Sequence, residues 1–493
     1  MADSGRFLTF DLGAESGRAV LGTIDGGRLE LDVVHRFPNE PQRVLHRFHW
    51  DTLRLFAEIK SGLARCVREK GADLDGIGID TWGVDFALLD ANDDLLGLPY
   101  HYRDHRTDGV VEKTFAIVPR EDVYNATGIQ VMQLNSLYQL MAMRLSGSPL
   151  LEQARTFLMT PDLLHFWLTG CKAVEFTNAT TTQCYDPRAG DWARGMLDRL
   201  GIPHHFLGEI VPPGTRLGPL HPTVREETGA GDTMVIAPAT HDTGSAVAAA
   251  PAEGDAGWAY ISCGTWSLVG LEAPAPVITP KSLAYNLTNE GGVNGTFRLL
   301  RNVMGLWILQ QCRRAWERAG SSYSYEELAT LSASARPFAA IVDPDDPGFL
   351  NPPDMPAAID AVCRRTGQQA PGGVAATVRC IVESLAMKYR WVIERLEDVS
   401  GKRIETVHLI GGGSQNRLLC QATADCTGLR VLAGPIEATA IGNVLVQAMA
   451  AGVVGDLRDA RAMVRRSFSL IEYMPREVDA WAEPYARFTS TLV

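Results

Sequence analysis

The chain has 493 residues, of which 46% are hydrophobic and 21% charged, as is typical of a globular protein. This length exceeds one ordinary hydrophobic core, so the sequence predicts two or more domains. The 46 Lys and Arg residues against 58 Asp and Glu give a net charge of −12, and no basic run occurs. These numbers argue against a nucleic-acid-binding protein. A phosphate-handling protein of this charge needs backbone donors and a metal rather than a positive field.

The N-terminal sequence MADSGRFLTFDLG lacks the apolar segment of a signal peptide, and no apolar run reaches the ~18 residues of a membrane span. The nine cysteines form no CxxC pair, which favours free thiols in a reducing compartment. Cys363 and Cys380 could lie near each other, and buried free thiols are the favoured interpretation. We therefore expect a cytoplasmic protein with no membrane partner, and the oligomeric state stays open.

Strand and helix patterns alternate along the chain, which predicts an α/β fold. RFLTFDLG reads as a strand that ends in a glycine turn, and GRAVLGTID reads as the next strand. DGIGIDTWGVDFALLD predicts a strand, a turn and a second strand. Helical spacing follows in SLYQLMAMRLSG and TPDLLHFWLTG, and the Pro/Gly-rich segment 211–222 is predicted to be a surface loop. A long helical pattern then precedes the strand TVHLIGGG.

An internal repeat is the most informative feature of the sequence. FLTFDLGAES (7–16) resembles WAYISCGTWS (258–267), about half the chain away. Each copy is an apolar strand followed by a glycine turn that carries a serine. In an α/β sequence this spacing suggests a duplicated domain with a cleft between the halves. The predicted domains are 1–247 and 248–493.

Both repeated turns have the composition of a phosphate-binding loop. Gly13 and Gly264 remove side chains where backbone N–H groups could surround a phosphate. Ser16, Thr265 and Ser267 would add hydroxyl donors.

Asp11 in the first copy is replaced by Ser262 in the second. If both turns face one triphosphate, Asp11 could hold a hydrated Mg²⁺ that bridges the phosphates. An acid that ends a strand and bonds to its own turn is the alternative.

Two further segments combine small residues with polar ones. In ATHDTGSA (239–246), Asp242 is surrounded by small side chains, which leaves space for substrates, but an aspartate that caps a helix explains the same pattern. In LIGGGSQNRLL (409–419), three glycines follow a strand, where a nucleotide base or ribose could lie against the backbone. A tight strand-to-helix turn explains that segment nearly as well, and it matches neither the P-loop nor the dinucleotide motif.

Taken together, the motifs resemble the FGGY family of sugar kinases, within the actin/Hsp70/hexokinase superfamily. The resemblance covers nearly the whole chain and rests on FDLGAESGR, GIGIDTWGVDFALLD, YRDHRT, TNATTTQ, THDTGSA, SCGTWSL, NEGG, NVMGLWILQ and GPIEATAIGN. IDTWGVDF and NVMGLW are far more specific than the phosphate turns, which sugar kinases of this family share.

The resemblance implies two ribonuclease-H-like domains that flank a central cleft holding ATP and sugar. The N-terminal domain would carry the sugar site and the first phosphate turn, and the C-terminal domain the second phosphate turn and the nucleotide site. It implies transfer of a phosphoryl group from ATP, with Mg²⁺, to the primary hydroxyl of L-rhamnulose, which gives the 1-phosphate used in rhamnose breakdown.

The resemblance also assigns roles to individual residues. Asp242 corresponds to the general base. The sugar-binding positions are Gly83, His241, Asp242, Thr243 and Asn302. The ATP-binding positions are Ala14, Glu15, Ser16, Gly17, Arg18, Thr265, Gln310, Gly411 and Gly412.

Two positions depart from the family pattern. Residue 15 is Glu where some relatives have Ser, and residue 240 is Thr where Ser is expected. Two other functions stay open: a kinase for another ketose or polyol, such as fuculose or xylulose, and a non-catalytic sugar-binding regulator. The presence of both Asp11 and Asp242 argues against the regulator, which would not need them.

Overall fold

The computed structural model describes residues 4–254 and 257–492. Within these, the chain divides into two compact units. The first unit contains the described residues up to Glu253 together with Glu272–Leu299 and Ala438–Ser467. The second contains Gly254–Leu271, Leu300–Glu437 and the described residues from Phe468 onward. Each unit holds a β-sheet with helices packed on it, so the α/β prediction is confirmed.

The strands are, in chain order, β1 (Ser4–Leu12), β2 (Ser16–Asp25), β3 (Arg28–Pro38), β4 (Gln42–Val44), β5 (Arg47–His49), β6 (Gly76–Thr81), β7 (Phe86–Leu89), β8 (Thr156–Met159), β9 (Val174–Glu175), β10 (Tyr185–Asp186), β11 (Asp191–Trp192), β12 (Ile210–Val211), β13 (Thr215–Pro219), β14 (Met234–Ala237), β15 (Trp258–Cys263), β16 (Trp266–Ala273), β17 (Thr288–Gly291), β18 (Phe297–Met304), β19 (Thr406–Ile410), β20 (Arg430–Ala433) and β21 (Ile471–Tyr473).

The α-helices are α1 (Thr52–Lys70), α2 (Val110–Phe115), α3 (Arg120–Thr127), α4 (Ser136–Leu145), α5 (Leu150–Gln153), α6 (Thr160–Thr169), α7 (Phe176–Ala179), α8 (Arg194–Leu200), α9 (Pro222–Thr228), α10 (Asp242–Ala248), α11 (Pro280–Ala284), α12 (Trp307–Arg318), α13 (Tyr325–Ala333), α14 (Met355–Arg365), α15 (Val374–Ser400), α16 (Arg417–Thr427), α17 (Ala438–Ala451), α18 (Leu457–Ser467) and α19 (Ala482–Thr491). Short 3₁₀ segments lie at His105–Thr107, Thr180–Thr182, Val293–Gly295, Pro347–Phe349, Gly412–Gln415 and Val478–Trp481.

The sheet of the first unit has the strand order β13-β14-β6-β1-β2-β3. β1 pairs antiparallel with β2 and parallel with β6, and β14 is parallel to β6. β6 is buried along its whole length and β1 along most of its length, because helices cover both sides of the sheet, as expected for its parallel part. The parallel strands bring their carboxyl ends to one edge of the sheet, which is where ligands bind in open α/β sheets.

α17 packs on one face of this sheet and against α10. The two helices approach so closely that a Cβ on Gly442 would lie 1.7 Å from the backbone oxygen of Ser245. A Cβ on Gly78 of β6 would likewise lie 2.7 Å from Oδ1 of Asn443. This close packing holds the start of α10 in a fixed position at the carboxyl edge of the sheet.

The long connection between β6 and β14 has a hydrophobic core of its own. Phe86 from β7, Leu137 and Met141 from α4, Phe157 from β8 and Leu197 from α8 are all buried in this core. The core keeps the turn that follows β6 and the segment that precedes β14 in place on the first unit.

In the second unit, neighbouring strands run in the order β18-β16-β15-β19-β20-β21. β15 is antiparallel to β16 and parallel to β19, and β19 is parallel to β20. The long helix α15 packs against α16 and buries residues along most of its length.

The two sequence repeats fold alike. β1–β2 and β15–β16 are antiparallel hairpins, and β1 and β15 each have a parallel strand on the other side. In the turns, the N–H of Gly13 donates to Ser16 O at 2.9 Å, and that of Gly264 donates to Trp266 O at 2.8 Å. The repeated sequence therefore corresponds to a repeated strand topology.

The prediction of a loop over 211–222 is wrong for its middle part. Thr215–Pro219 forms β13, the edge strand antiparallel to β14, with an irregular register between Arg216 and Gly218. Proline and glycine are tolerated there because an edge strand needs only one row of ladder hydrogen bonds.

The cysteines of the described residues are all free thiols. Cys363 and Cys380 lie within hydrogen-bond distance of each other, as the sequence suggested they could. The hydrogen bond lowers the pKa of the Cys363 thiol. Among the described residues, no helix combines the length and the apolar character needed to cross a membrane.

Candidate active site

Three aspartates of the first unit lie at the carboxyl ends of adjacent strands. Asp11 near the end of β1 is directly opposite Asp80 of β6, in parallel register. One residue further, Thr81 N–H donates to Thr240 O at 2.9 Å, which joins the end of β6 to the segment that leads into Asp242. The strand ends therefore bring Asp11, Asp80 and Asp242 into one group.

Asp242 is the first residue of α10, and its side chain is 32% exposed. Its Oδ1 accepts hydrogen bonds from Thr243 N at 2.5 Å and Thr243 Oγ1 at 3.1 Å. The residue that caps α10 is His241, so the alternative in which Asp242 caps this helix is wrong. Both of these donors bond to Oδ1 rather than to Oδ2.

The surroundings of Asp242 shift its pKa upward. Burial is the main cause, and the negative charge of Asp11 adds to it, whereas His241 and the Thr243 hydrogen bonds act in the opposite direction. A raised pKa makes this carboxylate a better proton acceptor than a solvated aspartate.

His241 lies between Asp242 and a buried ion pair. Its Nε2 is 3.4 Å from Asp242 Oδ1, and its Nδ1 is 3.0 Å from Arg298 Nη2 and 3.4 Å from Glu290 Oε2. Its backbone N–H donates to Thr177 Oγ1 at 3.1 Å. The imidazole is therefore fixed on both sides.

A buried carboxylate that sequence reasoning missed supports this segment. Glu175 Oε2 accepts from Thr240 N at 2.9 Å and from Thr240 Oγ1 at 2.8 Å. Its other oxygen, Oε1, accepts from Thr177 N at 2.9 Å. The hydroxyl of Thr240, where serine was expected, is thus used to hold the strand end just before Asp242.

Asp80 was also missed as a candidate. It is fully buried, and its Oδ2 accepts from Asn443 Nδ2 at 2.6 Å, whereas its Oδ1 has no hydrogen-bond partner among the described residues. Burial, followed by the negative charge of Asp11, raises its pKa well above the ordinary value. The signal in the sequence was an acid inside the apolar strand GIGID.

Hydrogen bonds from Asn39 hold the turn after β1, which is predicted to bind phosphate. Asn39 Nδ2 donates to Gly13 O at 2.8 Å, and its N–H donates to Glu15 O at 3.0 Å. The turn residues Ala14, Glu15 and Ser16 are partly or fully exposed. Gly17 is buried and leaves no space for a side chain, because a Cβ there would lie 2.3 Å from the ring of Phe37.

Arg18 follows this turn and pairs with Asp11. Its Nε and Nη2 donate to Asp11 Oδ2 at 3.0 and 2.6 Å. The pair places one positive and one negative group beside the turn predicted to bind phosphate.

Gly83 lies in the turn after β6, where it is buried against Thr181. A Cβ on Gly83 would come within 3.0 Å of the Thr181 side chain, and Thr181 Oγ1 also accepts from Val84 N. A side chain at position 83 would therefore have to displace Thr181 slightly.

Next to this turn, Asp85 organises an aromatic cluster. Its Oδ2 accepts from the indole N–H groups of Trp50 at 2.6 Å and Trp82 at 3.0 Å, and from Tyr102 N at 3.2 Å. Its Oδ1 accepts from Gln139 Nε2 at 2.9 Å. The ring centroids of Trp50 and Trp82 lie 3.9 Å apart. Burial raises the pKa of Asp85 to about 6.

This raised pKa predicts a pH effect on stability. Because the folded-state pKa lies above that of an unfolded aspartate, the folded protein binds the proton more tightly, and the contribution of Asp85 is lost as the pH rises through about 6. We expect the free energy of unfolding of the wild type, relative to Asp85→Asn, to increase by about 1 kcal/mol from pH 7 to pH 5. Urea unfolding at both pH values measures it, and a constant difference would contradict the assignment.

The second unit brings together the second turn and the glycine segment. Gly264 O and Thr265 O accept from the N–H groups of Leu306 and Trp307, which fixes the turn to the start of α12. A Cβ on Gly411 would lie 3.2 Å from Cys263 O, and one on Gly413 would lie 2.2 Å from Cys263 Sγ.

Gly411, Gly412 and Gly413 therefore differ in the space around them. Gly411, with φ of 84°, and Gly413 are required by packing on the end of β15. A Cβ on Gly412 would meet nothing within 4 Å, so this position offers open space.

The second unit also contains three more of the predicted positions, Gln310, Asn302 and Ser267. Gln310 lies on α12, and its buried Oε1 has no hydrogen-bond partner in the described part of the chain. Asn302 lies on β18 and is partly buried. Ser267, expected to add a hydroxyl donor, instead shares a 2.6 Å hydrogen bond with Tyr389 and is fully buried.

Comparison with known proteins identifies the family. The chain matches the N-terminal domain of the FGGY family of carbohydrate kinases over residues 7–249 and the C-terminal domain of that family over residues 259–451. The protein therefore belongs to the FGGY family of carbohydrate kinases, and the family prediction is confirmed.

Two of its relatives are rhamnulokinases. The chain is 46% identical to the rhamnulokinase of Bacteroides thetaiotaomicron over 482 residues, which cover 98% of both chains. It is 39% identical to the rhamnulokinase of Bacillus subtilis, with 96% of each chain covered. Among solved structures, it resembles gluconate kinase from Lactobacillus acidophilus (TM-score 0.81, 16% identity, 98% and 97% covered) and Plasmodium falciparum glycerol kinase with ADP (TM-score 0.77, 15% identity, 98% and 97% covered).

Proposed function

We propose that this protein transfers the γ-phosphoryl group of ATP to the primary hydroxyl of L-rhamnulose, which gives L-rhamnulose 1-phosphate. The full-length similarity to rhamnulokinases supports the substrate, and the placement of Asp242 supports the chemistry. The single observation that carries the mechanism is that Asp242 Oδ1 is occupied by Thr243 donors while the side chain stays partly exposed.

In the proposed reaction, Asp242 Oδ2 accepts the proton of the sugar hydroxyl as the new O–P bond forms. His241 and Thr243 lie beside this carboxylate and would orient the sugar, together with Gly83 and Asn302. Such transfer depends on positioning and charge stabilisation more than on covalent catalysis.

The nucleotide would be bound by both turns. Residues 14–18 and Thr265 would contact phosphates through backbone N–H groups and hydroxyls, and Gln310, Gly411 and Gly412 would surround the nucleoside. Gly412 is the glycine of its segment with open space, which suits contact with a ligand. Arg18 would contribute positive charge near the phosphates. The corresponding functional domains are 1–247 and 248–493.

Mg²⁺ is the metal we propose, with Asp11 as its principal protein group. No group of three or more His, Cys, Asp and Glu side chains within residues 4–254 and 257–492 is arranged to hold a metal. A hydrated ion needs only one or two carboxylates, because water and phosphates fill the other positions. The buried Oδ1 of Asp80 has no hydrogen-bond partner within residues 4–254 and 257–492, and Asp80 is repelled by the charges of Asp11 and Asp242. Both observations fit a cation there. When bound, the ion would neutralise phosphate charge.

The substrate assignment predicts a ranking. In a coupled ADP-release assay with L-rhamnulose, L-fuculose, L-ribulose, D-xylulose and glycerol, L-rhamnulose should have the highest kcat/KM. A clear preference for fuculose or xylulose would support the alternative of a kinase for another ketose. The non-catalytic regulator predicts sugar binding without ADP release, and Asp11 and Asp242 argue against it. We also propose a cytoplasmic location, which the free thiols favour.

A further inference from the structure

Arg298 is a fully buried cation beside the candidate active site. It lies on β18 and is 0% exposed. Its Nε donates to Gly291 O at 2.8 Å, and Glu290 Oε2 lies 3.3 Å from its Nη2. Burying a guanidinium costs free energy unless it is paired and hydrogen-bonded, so the contacts of Arg298 need an explanation beyond packing.

The contact with His241 has only one possible direction. Arg298 Nη2 lies 3.0 Å from His241 Nδ1. A guanidinium nitrogen donates hydrogen bonds and cannot accept them, so Nδ1 must be the acceptor and carries no proton. In a neutral imidazole the proton then resides on Nε2.

The other side of the ring faces the proposed base. His241 Nε2 lies 3.4 Å from Asp242 Oδ1. With a proton on Nε2, the ring presents a donor to the carboxylate and to a sugar oxygen placed beside it. With the proton on Nδ1, the bare Nε2 would face the carboxylate, and two acceptors would repel each other.

We propose that Arg298 is a positioning residue that holds His241 in the Nε2–H tautomer, so that the one N–H of the imidazole faces Asp242 and is available to an oxygen of the sugar. This inference rests on the proposed kinase function for its kinetic consequence, but the tautomer itself does not depend on it. Arg298 acts through His241 and touches neither substrate.

The structure also contains the group that would stabilise the wrong tautomer. Glu290 Oε2 is 3.4 Å from His241 Nδ1 and would accept a hydrogen bond from a protonated Nδ1 if Arg298 did not occupy that nitrogen. Arg298→Met should therefore move the proton of His241 from Nε2 to Nδ1.

The test is two-bond ¹H–¹⁵N correlation NMR of histidine-labelled full-length protein, which distinguishes a protonated from a bare ring nitrogen. The His241 signals are assigned by their loss in His241→Gln. Wild type should show Nε2 protonated, and Arg298→Met should show Nδ1 protonated. In Arg298→Met, kcat/KM for L-rhamnulose should fall roughly 10–100-fold, as for loss of a charge-assisted hydrogen bond, with the KM for ATP unchanged.

Arg461→Met is the matched control. Arg461 is also a buried arginine of the first unit, and it bonds to Val247 O at 3.1 Å and to Glu272. We expect this variant to lose stability but to keep the wild-type tautomer and kcat/KM.

A wild-type spectrum with Nδ1 protonated would overturn the proposal, even if Arg298→Met fails to fold. Retention of the Nε2–H tautomer in a folded Arg298→Met would also overturn it. Absence of L-rhamnulose turnover in wild type with the expected spectra would instead contradict only the proposed function.

Discussion

Asp242→Asn is expected to slow phosphoryl transfer by ~10²–10⁴-fold, the usual cost of losing a general base. An asparagine oxygen can replace Oδ1 and accept from Thr243, so the local hydrogen bonds survive. What is lost is the carboxylate oxygen that would take the proton. Because a negative charge near the phosphates is removed, ATP affinity should be unchanged or higher.

Steady-state kinetics, nucleotide titration and thermal melting together test this prediction. Asp186→Asn is a suitable control, because the Oδ1 of Asp186 accepts from Arg188 N and Ala189 N in a turn of the same unit. It should have wild-type turnover. If Asp242→Asn melts normally and also turns over at the wild-type rate, Asp242 does not act as the base.

The elements of the fold were predictable where the local sequence determines them. The two hairpins follow from apolar runs that end at Gly13 and Gly264, and the long helix α15 follows from its periodicity. β13 was not predictable, because Thr215–Pro219 has the composition of a loop and becomes a strand only by pairing with β14.

The candidate site was predictable only in part. The resemblance supplied Asp242 and the turn residues, and the comparison of the two repeated turns supplied Asp11. Their roles stay predictions. The resemblance did not supply Asp80, Glu175 or Arg298, because their importance arises from partners far along the chain. Asn443 lies 363 residues from Asp80, and Arg298 lies 57 residues from His241. Such pairs depend on strand register and helix packing, which no local pattern encodes.

The sequence alone also could not distinguish the roles of the glycines at 411–413. The segment at 411–413 suggested a nucleotide contact for all three glycines, yet two of them are explained by the end of β15 beneath them. Only the folded chain distinguishes a glycine needed for backbone packing from one that leaves space for a ligand.

Asp11→Asn is expected to raise the Mg²⁺ concentration needed for half-maximal rate by about 10–100-fold and to lower the maximal rate, because the carboxylate proposed to hold the ion loses its charge. Activity of the wild type should disappear with EDTA and return with Mg²⁺.

Asp80→Asn separates two roles for the buried carboxylate. An amide oxygen still accepts from Asn443, so a purely structural Asp80 would leave the Mg²⁺ requirement unchanged. If Asp80 helps to attract the ion, its variant should raise the requirement as well, by less than Asp11→Asn does. Rates measured against Mg²⁺ at saturating ATP and sugar decide this, and full turnover of the wild type in metal-free buffer would show that neither carboxylate serves a metal.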